Sequence, residues 1–131
     1  MNQPFYYKIL IKSSDIDNLN HVNNAVYVRW MDEVAGAHWT FLTKDADVSN
    51  YIWVVSKHEI EYKNQAVLSD EITAKTYVGE TKGVTSIRYI EFYKGDTLLV
   101  KSKTIWVLLD AKLYKPIRIR ENILKLLQPS K

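Results

Sequence analysis

The stretch that most constrains this chain is "NAVYVRWMDEVAGAHWTFL", from Asn24 to Leu42. Tyr27, Trp30, Met31, Val34, His38 and Phe41 recur at steps of three and four, which marks one face of a helix. Arg29, Asp32, Glu33, Gly36 and Thr40 form a narrow polar stripe opposite, and the flank of Val28, Ala35, Trp39 and Leu42 is apolar again. A helix apolar over most of its girth is expected to be buried on several sides. In a chain of 131 residues, something must wrap it.

The rest of the sequence supplies strands for the wrapping. Phe5 to Ser13 alternates, with Phe5, Tyr7, Ile9 and Ile11 on one face. Four further β-branched and aromatic runs follow the helix: Tyr51 to Lys63, Glu71 to Glu80, Val84 to Lys94 and Thr97 to Asp110. The glycine-bearing turns "ETKG" and "KGD" make the last three runs antiparallel neighbours. After Pro116, "IRIRENILKLLQP" predicts a short helix with Ile123, Leu124 and Leu127 on one side and Pro129 beyond its end. No repeat, low-complexity segment or linker interrupts the order β, long α, four β, short α. The expected fold class is therefore α+β, a single domain over 1–131. Its architecture is one long central helix enclosed by a curved five-stranded antiparallel sheet.

Composition removes several functions. There is no cysteine, which excludes thiolate nucleophiles, disulfides and thiolate metal sites. The N-terminus lacks the pattern of a secretory signal, and no run approaches the length of a membrane span, so a cytoplasmic location and no membrane are expected. A net charge of +3 suits an anionic ligand, but the basic residues are scattered without a basic–aromatic stripe, so no nucleic acid is expected. No spacing among histidines and carboxylates fits a metal site; "DNLNH" precedes the helix, and no metal is expected. His38, on the apolar helix face, reads as a hydrogen-bonded core residue. His58 reads as sharing a strand face with Val54, Ser56 and Ile60, in a core or interface in preference to a pocket wall.

The polar stretch just before the helix carries the chemistry. "DIDNLNHVNN", Asp15 to Asn24, ends where free N–H groups and the positive end of the helix dipole are exposed. Asn23 or Asn24 is the candidate N-cap. Capping alone accounts for such a pair; the same N–H groups are also able to stabilise a developing oxyanion. Asp17 lies close enough upstream to fold back beside that point and is a carboxylate at neutral pH. A carboxylate next to an oxyanion hole is a minimal hydrolytic site, able to deprotonate water or to attack an acyl carbon. Asp15 is expected to organise the turn after the first strand. Glu33 has a competing explanation in an ion pair with Arg29, four residues earlier.

"DIDNLNHVNNAVYVRWMDEVA" resembles the signature of hotdog-fold acyl thioesterases, the 4-hydroxybenzoyl-CoA thioesterase-like and acyl-ACP thioesterase group. That pattern is approximately D-x-D-x-x-G/N-H-V-N-N-x-x-Y with an acidic residue in the following helix. Asp15, Asp17, His21, Val22, Asn23, Asn24, Tyr27 and Glu33 fall in register. The resemblance implies Asp17 as base or nucleophile on a thioester and the backbone N–H of Asn24 as the group polarising its carbonyl. It implies that His21 and Asn23 shape the site or assist the chemistry, and that Glu33 supports the pocket. Two positions depart from the pattern. Leu19 stands where the acyl-ACP version has an asparagine, which favours a simpler mechanism of aspartate plus helix terminus. Asn20 replaces a common glycine, and asparagine tolerates a left-handed turn.

The implied substrate is an acyl-CoA or acyl-carrier thioester, with coenzyme A as part of the substrate and no other cofactor. Lys57, Lys63, Lys82, Arg88 and Lys94 lie on or near strand ends, within reach of its phosphates. Trp30, Met31, Val34, Trp53 and Tyr62 are available to line an acyl slot, with Tyr27 and His58 near it. The resemblance also implies a homodimer or homotetramer with sites at the interface. The alternatives are an enoyl-CoA hydratase of the same fold, whose D-x-N-P-x-H motif is not matched here, and a non-catalytic acyl-CoA-binding protein.

Overall fold

The computed structural model describes residues 3–128. Five strands, β1 (Phe5–Ile9), β2 (Tyr51–Tyr62), β3 (Ile72–Lys82), β4 (Thr85–Lys94) and β5 (Thr97–Asp110), form one sheet in the order β1-β3-β4-β5-β2. Every neighbouring pair is antiparallel. The long helix α1 (Asn24–Leu42) joins β1 to β2, strands at opposite edges, so it connects across one face of the sheet. A short helix, α2 (Glu121–Leu127), follows the sheet.

Alternation decides which side chains meet α1. In β3 and β4 buried and half-buried residues alternate, which puts Ile72, Ala74, Thr76 and Val78 on the inner face with Ser86, Arg88, Ile90 and Phe92. Tyr27, Trp30, Met31 and Val34 of α1 pack on the half of that face containing Ile72, Ile90, Phe92 and Val100. A second cluster gathers Val78 and Leu108 with Ile119, Ile123 and Leu127, and Trp39 and Trp53 lean on it edge to face. Gly83 and Gly95 take positive φ in the two hairpin turns, where a side chain would be strained.

Several boundaries differ from the sequence expectation for identifiable reasons. β1 stops at Ile9, because the chain turns into a 3₁₀ turn at Ser13–Asp15; Ile11 is nevertheless buried. Phe41 is exposed, with its ring beside Phe5 and under Lys44 at the end of α1. The segment before α2 is extended up to Arg120, held by Ile117 N–H to Leu108 and Ile119 N–H to Gly83. Pro129 lies outside the described residues. A β-bulge between Val55 and Lys57 reverses the alternation of β2. His58 therefore shares its face with Ile60 and, across the bulge, with Val55 and Trp53; Val54 is turned to the other face.

Candidate active site

The connection between β1 and α1 is built from its own polar groups. Asp15 is 1% exposed, accepts from Lys12 N–H at 2.9 Å and from Arg29 Nη2 at 2.7 Å, and so ties the loop to the helix. Burial pushes its carboxyl pKa up, but the Arg29 guanidinium and the Lys12 N–H together outweigh burial and hold it below the usual value. Arg29 is thus joined to Asp15, and the pairing of Arg29 with Glu33 offered as an explanation of Glu33 is not formed. Glu33 instead lies beside the Tyr7 hydroxyl.

Two residues on, Ile16 bridges Val22 and Asp17 N–H donates to the His21 carbonyl at 2.8 Å, closing a small loop. One carboxylate oxygen of Asp17, Oδ1, accepts from Leu19 N–H at 2.9 Å and His21 N–H at 3.1 Å. The other, Oδ2, takes no hydrogen bond among the described residues. Asn20 completes the loop in the left-handed region at φ 63°, a conformation glycine or asparagine adopts most readily. Leu19 lends the loop its backbone N–H, and its side chain is exposed.

α1 begins immediately beyond. Asn23 is the N-cap: its side-chain oxygen accepts from Ala25 N–H at 3.0 Å, and its carbonyl accepts from Val26 N–H. The N–H of Asn24 makes no hydrogen bond among the described residues, so the first turn presents one unspent donor. The Asn24 carbonyl accepts from the Tyr62 hydroxyl at 3.2 Å, which anchors the helix start to β2.

The remaining expected residues are scattered. Tyr27, Trp30, Met31 and Val34 belong to the core, and the Tyr27 ring meets Trp30, Tyr62 and Phe92 edge-on. Trp53 alone of the proposed slot residues lines the cavity described below. Lys63 pairs with Glu61 and Lys94 with Asp70, while Lys57 and Lys82 are exposed on β2 and β3. Arg88 is no strand-end residue: it sits on the inner face of β4, 6% exposed.

Arg88 anchors a buried polar cluster. Its Nη1 donates to Thr76 Oγ1 at 2.9 Å and to His38 Nδ1 at 2.8 Å. A guanidinium only donates, so His38 accepts through an unprotonated Nδ1. Burial, with the Arg88 charge in support, pushes the His38 pKa down to about 4 and keeps the ring neutral. Phe5 stacks on that ring at 4.8 Å. On the same sheet row Arg88 faces Thr104, and Thr104 Oγ1 meets His58 Nδ1 at 2.7 Å. His38 is thus the hydrogen-bonded core residue its place on the helix implied.

A cavity of about 590 Å³ opens between the polar stripe of α1 and the inner face of the sheet. Asp32, Gly36, Val54 and Val55 form its exposed rim; Arg88, Ser86, Val78 and Leu127 are buried at its floor. Trp106 is a further wall residue, and its Nε1 is buried without a partner among the described residues. Trp106 went unnoticed in the sequence although it falls in step with Thr104 and Leu108, two inward-facing positions of β5.

Five antiparallel strands curved round one long helix define a hotdog fold. The profile of the thioesterase superfamily matches residues 19–101, well over half of the chain, and the chain belongs to that superfamily, whose chemistry is thioester hydrolysis. The matched span holds His21, Asn23, Asn24, Tyr27 and Glu33; Asp15 and Asp17 stand just ahead of it. Among curated protein sequences none is similar to this chain. Among solved structures, a predicted thioesterase from Bacillus stearothermophilus superposes with a TM-score of 0.86 at 20% identity, over 98% of this chain and 100% of that one. A 1,4-dihydroxy-2-naphthoyl-CoA thioesterase from Synechocystis gives 0.80 at 13% identity, over 95% and 96%. A hypothetical protein from Staphylococcus aureus in complex with CoA gives 0.85 at 17% identity, over 100% and 89%. At these identities the likeness is one of fold.

Proposed function

We propose that this protein hydrolyses acyl-CoA thioesters, with Asp17 as general base or nucleophile and the Asn24 N–H polarising the thioester carbonyl. The observations that carry the reading are one carboxylate oxygen of Asp17 and one N–H at the start of α1, each without a hydrogen bond among the described residues. Asp17 Oδ1 is held by Leu19 and His21, which fixes the carboxylate while Oδ2 stays free to take a proton or attack carbon. A donor aimed where negative charge develops stabilises the tetrahedral intermediate more than the ground state. In the general-base form, Oδ2 takes the proton from water as its oxygen adds to the carbonyl carbon. The intermediate then collapses with loss of the thiolate. In the nucleophilic form, Oδ2 itself adds to the carbonyl carbon, the C–S bond breaks with loss of the thiolate to leave a mixed anhydride, and water cleaves that anhydride to the free acid and the Asp17 carboxylate.

His21 and Asn23 serve this site by position, His21 through the N–H that holds Asp17 and Asn23 as the cap that leaves Asn24 free. Tyr27, Trp30 and Glu33 support it from α1. Lys57, exposed on the edge strand, is available to the phosphates of coenzyme A, and His58 lies on the inner face of the same strand. The proposed chemistry uses only a carboxylate and an N–H, and coenzyme A enters as part of the substrate. We place the chain as one domain in the cytoplasm, assembled as a dimer or tetramer that covers the sheet edges. The CoA complex of the Staphylococcus aureus relative supports coenzyme A over a protein carrier. Replacing Asp17 by Asn and assaying a panel of acyl-CoAs for thiol release tests the assignment. A fall of about 10²–10⁴-fold is expected for loss of a positioned base.

A further inference from the structure

The 590 Å³ cavity is apolar along most of its wall but holds unspent donors of Arg88. Arg88 uses only Nη1 on Thr76 and His38; Nη2 and Nε make no hydrogen bond to the described residues. Neither is among the sealed polar atoms, so the cavity that Arg88 lines is their opening to solvent. Trp106 Nε1 is also without a partner among the described residues, but it is sealed and is no donor to a cavity ligand. No carboxylate among the described residues pairs with Arg88, and burial alone pulls its pKa down, to about 10. His38 is neutral, so the guanidinium is the one formal charge of its cluster.

A buried charge without a counter-charge is strongly unfavourable unless something pairs with it. Holding Thr76 and His38 needs two hydrogen bonds, which a neutral side chain supplies without that penalty. A water molecule would accept from the guanidinium yet leave the charge uncompensated. An aliphatic acyl chain filling the cavity would strip the remaining water from the guanidinium and worsen it. An anionic acceptor answers both the free donors and the charge of Arg88, and a planar carboxylate suits the guanidinium fork.

We propose that this cavity receives the far end of the acyl group and that this end bears a second carboxylate, bound by Arg88. The substrate class is then the carboxyacyl thioester, the half-thioester of a dicarboxylic acid. The proposal rests on the thioesterase reading for the chemistry, but the cavity's preference for a carboxylate stands separately from it. Specificity of this kind is strong, because a monoacyl substrate leaves the charge unpaired inside the pocket.

The test compares glutaryl-, adipyl- and suberyl-CoA, each with the unbranched monoacyl-CoA of equal carbon number. Wild-type protein is expected to prefer at least one carboxyacyl member by more than about tenfold in kcat/KM. Arg88→Met is expected to erase that preference, and Arg88→Lys, which keeps the charge but loses the planar fork, to reduce it about fivefold. Calorimetry of the same CoA esters on Asp17→Asn protein reads binding without turnover and is expected to show the same order of preference. A wild-type enzyme that hydrolyses the monoacyl esters as well as the carboxyacyl ones, or a preference unmoved by Arg88→Met, overturns the inference and leaves the thioesterase reading standing. Absence of all hydrolysis overturns the thioesterase reading. Carboxyacyl binding that is then lost with Arg88→Met still supports the cavity assignment, and binding indifferent to the carboxylate overturns it.

Discussion

Two aspartates two residues apart have opposite fates in this loop. Asp15 is buried with both oxygens engaged; Asp17 keeps one oxygen free. Asp15→Asn replaces a charge-assisted pair with Arg29 by a neutral one and is expected to cost about 1–3 kcal/mol of stability, read as a lower urea midpoint. His38 gives a second residue-scale prediction. Its folded pKa, about 4, lies below its unfolded value near 6.5, so the unfolded chain binds the extra proton between these values. Stability is therefore full above about pH 6.5 and declines as pH falls towards 4, by up to about 3 kcal/mol. The depressed Asp15 pKa removes further stability as pH falls through it. His38→Gln keeps an acceptor for Arg88 but cannot titrate, and thermal denaturation across pH 4–7 is expected to show a flatter slope for it. Of the two N-cap candidates in the sequence, Asn23 and Asn24, it is Asn23 that caps α1. Arg88 was misplaced because nothing in the sequence reports how far a residue lies from a strand's end in three dimensions, although its alternation with Ile90 and Phe92 already pointed it inward.

At the scale of elements, α1 was legible to its limits because its period and its cap agree: Asn23 closes one end and the buried apolar face runs from Tyr27 through Val34 to His38. Asn23→Ala removes the acceptor for Ala25 N–H and is expected to destabilise by about 1 kcal/mol, a fall of a few degrees in Tm by calorimetry. β2 was legible only in part. Its residues favour a strand, but the extra residue at Ser56 is a backbone event that β-branched neighbours on either side conceal. That bulge sends Trp53 inward to meet Trp39, and so it shapes the cavity. The extended run from Pro116 to Arg120 was read as helix because its apolar residues fit either period; the bonds to Leu108 and Gly83 settle it as extended.

For the whole molecule, the sheet order follows from the hairpins and the one long crossing helix, which is why the architecture was readable. What the sequence hid is the division of the interior into two apolar clusters with the Arg88–His38–Thr76 group set into the same inner face. Sequence periodicity marks inside and outside, but not where along the inside a polar group finds its partners. Among the described residues no helix is long and apolar enough to cross a membrane. β1 and the twelve-residue β2 form the sheet edges, and Val54 and Val55 are exposed on the latter. An exposed long edge with apolar side chains calls for cover. Light scattering on the purified protein is expected to give a dimer or a multiple of it; a monomer at every concentration would contradict the assembly proposed.

The account turns on Asp17, and turnover of acyl-CoAs by Asp17→Asn protein tests it most directly. The variant keeps the acceptor that Leu19 and His21 bind, so its circular dichroism and Tm are expected to match wild type while thiol release falls about 10²–10⁴-fold. A folded variant that hydrolyses every substrate of the wild type at the wild-type rate would contradict it.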